Sequence, residues 1–82
     1  MRGRLYSTTQ ALPERDLHEL SDLLALQLYQ RLGSRAFDLS RRDIAELIEP
    51  YTDDLLRDDR RAVAWLVWEL LQEGADIALE AA

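Results

Sequence analysis

Few side chains in this chain are equipped for chemistry, and their spacing accounts for most of them. His18 is the single histidine, and Glu14 and Asp22 stand four residues before and after it. General acid–base work needs an imidazole held by an orienting group and a nucleophile within reach. The i±4 spacing is also what any solvated helix face provides, and His18 is read as part of one. There is no cysteine, so a nucleophile would have to be Ser or Thr, and no Gly-x-Ser-x-Gly turn is present to expose one. No catalytic residue is assigned, and the expectation is a protein that is not an enzyme. Four carboxylates, Asp53, Asp54, Asp58 and Asp59, invite a metal reading. A calcium loop needs alternating oxygen ligands, a turn glycine and a distal glutamate, and Asp53-Asp54-Leu55-Leu56-Arg57-Asp58-Asp59 has neither the alternation nor the glycine. A di-iron bundle needs two Glu-x-x-His pairs, which one histidine cannot supply. No metal and no cofactor are therefore expected.

These carboxylates matter for charge instead. Between Asp43 and Asp59 seven acids stand against one base, Arg57, so this stretch holds the whole formal excess of −6. Some of the acids suit helix N-termini, where a carboxylate accepts from free backbone N–H groups. The sharper expectation is that Asp53, Asp54, Asp58 and Asp59 form a patch that meets a partner with a basic surface. Direct binding to nucleic acid is not expected, because such proteins concentrate positive charge to displace counterions. All ten basic residues are arginines, and the doublets Arg41-Arg42 and Arg60-Arg61 each fall near an expected helix start.

The elements that must hold these residues are helices. Leu17, Leu20, Leu24, Leu28 and Leu32 recur at helical spacing, so a first helix is expected over about 13–32, opened by Pro13 and closed by Gly33. Ser40 followed by Asp43 forms a capping box, with Leu39 and Ile44 as its hydrophobic staple. The second helix, about 40–49, buries Ile44, Leu47 and Ile48 and should break near Pro50. Tyr51 and Leu55 suggest a short third helix over 51–57, and Asp58 or Asp59 caps a fourth over about 60–79. Gly74 is either a cap or a close-packed position, and the phase of Val63, Val67, Leu70, Gly74 and Ile77 favours continuation through it. The sum is an all-α chain, a small three- or four-helix bundle forming a single domain over 1–82, with residues 1–12 as a flexible or draped arm. No secretory signal and no membrane span are expected, which makes the cytoplasm the default compartment.

One stretch stands apart, Ala62-Val63-Ala64-Trp65-Leu66-Val67-Trp68-Glu69-Leu70-Leu71, with Glu69 its only charge. A helix apolar all round must be covered all round, and 82 residues offer little to cover it with. Val63, Leu66, Val67 and Leu70 fall on one side and Trp65 and Trp68 on the other. With Leu23 and Leu26, which lie off the main stripe of the first helix, the tryptophans are the expected contact surface. The expected function is a protein–protein interaction module, homodimeric, acting as inhibitor, adaptor or regulator of a larger partner. The alternatives are a carrier or small-ligand-binding bundle, or a non-catalytic subunit of an enzyme complex. Acyl carrier proteins are similar in size and charge, but their carrier serine stands in Asp-Ser-Leu, whereas this chain has Asp38-Leu39-Ser40-Arg41. Nuclease-immunity proteins are similar too, but Glu49-Pro50-Tyr51 does not match their Tyr-Tyr-Pro motif. Ser40 is accordingly read as a helix cap, and neither family is assigned.

Overall fold

The computed structural model describes residues 12–81, in which three α-helices and one 3-10 segment follow each other without a strand. The all-α expectation is borne out. Residues 1–11 of the expected arm lie outside the described residues. Leu12 is buried, and its N–H donates to Asp59 Oδ2 at 2.9 Å.

Helix α1 spans Glu14–Leu32. Pro13 stands just before it as N-cap, where its missing N–H costs nothing, and its carbonyl accepts from Leu17 N–H at 3.1 Å. Glu14 and Asp16 lie at the positive end of the helix dipole and Arg31 at the negative end. At the C-terminus Gly33 takes φ +63°, which a side chain would resist, while its N–H still reaches Tyr29 O. The chain does not then loop freely. Gly33–Asp38 form a 3-10 segment that buries Ala36 and sets Phe37 against Tyr29, with ring centroids 5.4 Å apart. Gln72 Nε2 donates to Phe37 O at 3.4 Å and ties this segment to the last helix.

Helix α2 spans Arg41–Thr52 and opens with the expected capping box. Ser40 Oγ accepts from Asp43 N–H at 3.1 Å, and Asp43 Oδ2 accepts from Ser40 N–H at 3.3 Å. The expected break at Pro50 does not occur, and there is no separate helix over 51–57. Pro50 lies within the last turn of α2, so its missing N–H removes one bond at an exposed end rather than interrupting a ladder. Thr52, fully buried, donates through Oγ1 to Ile48 O at 3.1 Å and helps hold that turn closed. Residues 53–56 turn, and α3 runs over Arg57–Ala81, starting earlier than the expected 60. It passes through Gly74. A Cβ at Gly74 would lie 3.2 Å from Phe37 Cε1, so this glycine is a close-packed position within a longer helix.

Both α1 and α2 pack on α3 and make little contact with each other. The core joins Leu24, Ala25 and Leu28 of α1, Ala36 of the 3-10 segment, Ile44 and Ile48 of α2, and Val63, Ala64, Val67 and Leu71 of α3. Leu47, expected in that core, is exposed, and so is Tyr51. They line a small depression between α2 and α1 with Leu24, Leu28 and Leu32, which is left partly open. No helix among the described residues is long and apolar enough to cross a membrane.

The contact at Gly74 makes a specific forecast. Gly74→Leu drives a side chain into Phe37 and should destabilise the chain by about 1–3 kcal/mol, as overpacking does. In Gly74→Ala the gain in helix propensity, about 1 kcal/mol, opposes the single tight contact, so little net change is expected. Thermal unfolding of both variants checks this, and an equal loss in the two would contradict it.

Candidate functional site

The tryptophans expected to face away from the core do so unequally. Trp65 is 46% exposed, whereas Trp68 is half-buried and packs against the core. Their rings tilt against each other at 54° with centroids 6.0 Å apart. Arg41, at the start of α2, lays its guanidinium 4.4 Å from the Trp65 ring centroid and 5.6 Å from that of Trp68. A planar cation over an indole face contributes about 0.5–1 kcal/mol where water still has access.

The Arg41 contact follows from the turn at 53–56, which folds α2 back along α3. The start of α2 then reaches Trp65, while Thr52 at its end faces Arg57 at the start of α3. Between the two helices runs an open groove of about 700 Å³. Its apolar lining is Ala45 and Ile48 from α2 and Ala64 and Trp65 from α3. Two of these are alanines, so the helix surfaces stay low and the groove stays open. Its polar lining is dominated by Arg41, Arg42, Arg57, Arg60 and Arg61, against Glu46 and Glu49. Half of the chain's ten basic residues thus line one groove of a protein whose net charge is −6. Arg42 pairs loosely with Glu46 at 3.8 Å. Among the described residues, Arg57, Arg60 and Arg61 have no carboxylate at ion-pair distance. The groove could not be read from the sequence, because its arginines come from two doublets and a single residue spread over 21 positions. The available signal was that both doublets fall at helix starts on either side of a short turn.

The other expected contact residues lie elsewhere. Leu23 and Leu26 on α1 are 61% and 52% exposed. Leu23 lines a separate depression of about 290 Å³ with Leu12, Leu20, Tyr51 and Leu55. The surface expected as one is therefore divided in two. The acidic residues also separate. Asp53 is the exposed C-cap of α2, Asp58 is exposed in the first turn of α3, and Asp54 is half-buried beside the Leu23 depression. Asp59 is only 7% exposed and accepts the Leu12 N–H, so it fastens the chain before α1 to α3 and is not available to a partner. His18 lies on an exposed face 3.9 Å from Glu14, as the spacing suggested. Among the described residues no group of three or more His, Asp or Glu side chains is arranged to hold a metal ion.

No family model, curated protein or solved structure matches the chain.

The role of Asp59 can be measured. Asp59→Ala leaves the Leu12 N–H without its buried acceptor, so a loss of about 1–3 kcal/mol is expected. Amide exchange at Leu12 should accelerate while the Trp65 and Trp68 environment stays unchanged. Leu12 exchange that is insensitive to the substitution would contradict the assignment.

Proposed function

We propose that this chain is a helical bundle that works in the cytoplasm as a homodimeric protein-binding module, an adaptor, inhibitor or regulator of a larger partner. The observation that carries the reading is Trp65, a large aromatic surface held in place by Trp68 and Arg41 yet left half-exposed at a groove. Rigid aromatic and arginine side chains at the edge of a pocket are what binding hot spots are made of, because they bury much area with little entropy to lose. The second exposed surface, Leu23 and Leu26 on α1, supports self-association. Two separate surfaces let a small chain dimerise through one and hold a partner with the other.

Sedimentation equilibrium tests the dimer. The expected mass is twice 9.5 kDa, reduced to the monomer value by Leu23→Asp with Leu26→Asp and unaffected by Trp65→Ala. A wild-type chain that sediments as a monomer at 100 micromolar would rule out homodimerisation. A benzophenone photocrosslinker placed at position 65 and activated in the native cell tests the partner. It should yield a product heavier than a crosslinked pair of this chain, and recovery of the self-pair alone would count against a heterologous partner.

A further inference from the structure

We propose that the groove between α2 and α3 binds a short acidic amphipathic segment of a protein partner, its carboxylates taken by the arginines and its apolar side chains laid on Ala45, Ala64 and Trp65. This rests on the reading of the chain as a protein-binding module and names what the partner must present.

Apart from Arg41, whose guanidinium lies over Trp65, the arginines make few contacts that favour the isolated fold. Arg41 and Arg42 are the first two residues of α2, and Arg57 is the first of α3. These are the positive ends of two helix dipoles, where cations are unfavourable and carboxylates are preferred. Arg61 follows one turn later and is also exposed, and among the described residues neither it nor Arg57 meets a carboxylate. An incoming anion relieves repulsion that the free chain sustains. Guanidinium forks also take carboxylates in bidentate geometry, which gives direction as well as charge.

The apolar lining sets the form of the ligand. A 12-residue α2 is about 18 Å long, a length matched by three turns of a docked helix. Alanines on both walls allow a backbone to approach closely, and Trp65 offers a flat surface to an apolar side chain. Recognition of an amphipathic helix in a groove uses such a pattern, with anchors at i, i+3 or i+4, and i+7.

The charge outside the groove sets its size. Arginines in the groove are half of all the bases, whereas only Glu46 and Glu49 of the sixteen acids line it. Everything beyond it is therefore more negative than the net −6 implies, and exposed Asp53 and Asp58 stand at the turn that closes one end. A long polyanion such as nucleic acid would run from the arginines into that field. A segment of about a dozen residues with a few carboxylates stays within them.

The test is selection of a random 12-residue peptide display library on the 82-residue chain, followed by titration of the enriched peptides against its tryptophan fluorescence. Enriched sequences should carry Asp or Glu together with apolar residues at helical spacing, and binding should weaken as salt rises. Arg42→Gln with Arg61→Gln should weaken binding at least tenfold with little change in melting temperature, because the Arg42–Glu46 pair is solvent-exposed and Arg61 meets no carboxylate among the described residues. Arg42→Lys with Arg61→Lys should recover part of the affinity, and Leu23→Asp should leave it unchanged. Peptides of basic or neutral composition would overturn the proposal. So would tighter binding of a twelve-nucleotide single-stranded thymidylate, which would assign the groove to nucleic acid. Peptides whose binding is lost in Leu23→Asp but kept in the arginine variant would leave a protein-binding module standing and remove the groove from it. If the selection enriches nothing, both readings fall.

Discussion

Val63, Ala64, Val67 and Leu71 form one buried band on α3, and the places of α1 and α2 both derive from it. Fully burying an aliphatic side chain of this kind is worth about 1.5–3 kcal/mol, so a few such positions fix where each partner helix must lie. The same geometry limits what can be covered. Two helices resting on one leave part of its circumference open, and α3 is apolar beyond its buried band. Trp68 is drawn partly into the core, while Trp65, a turn away, remains at the surface. With the alanines of α2 and α3 lying low beside it, the exposed indole becomes one wall of a groove rather than an isolated patch.

Charge is sorted along the same geometry. The capping box at Ser40 fixes where α2 begins, and the turn over 53–56 fixes where α3 begins. Those two decisions bring arginines from the starts of both helices to one side of the molecule. Acidic residues take other duties. Asp43 closes the capping box, Asp59 holds the Leu12 amide and Asp53 ends α2. An acidic protein thus carries a basic groove, and its net charge says little about the local charge of that groove. Cations at helix N-termini oppose the helix dipole, which the Arg41 contact with Trp65 and the Arg42–Glu46 pair offset only in part.

Much of the fold was legible because it rests on local rules. The leucine stripe located α1, Gly33 its end, and Ser40 with Asp43 the start of α2. The phase of the apolar residues carried the last helix through Gly74, although only the structure shows Phe37 packed against it. Pro50 was misleading because the rule against proline applies to helix interiors, and whether a residue is interior depends on an end that tertiary packing sets. Leu47 has the spacing of a core residue but stands at the rim of a depression between α1 and α2, across from Leu24, Leu28 and Leu32, and stays exposed. Among the candidate contacts, the exposed Trp65, Leu23 and Leu26 could be named from helical phase. Their separation into two surfaces could not, and nor could the burial of Asp59, because both depend on how α1 lies against α3.

The central claim is that Trp65 stands exposed in a locally positive field within a negatively charged protein. Collisional quenching of tryptophan fluorescence by iodide and by caesium at matched low ionic strength reads that field directly, because each ion is concentrated or repelled by the charges around the indole. With each ion referenced to its quenching of free N-acetyltryptophanamide, the account predicts that iodide quenches the accessible tryptophan more strongly than caesium, as the arginines of the groove require. Relatively stronger quenching by caesium on that scale, as the net charge of −6 alone would give, would contradict it.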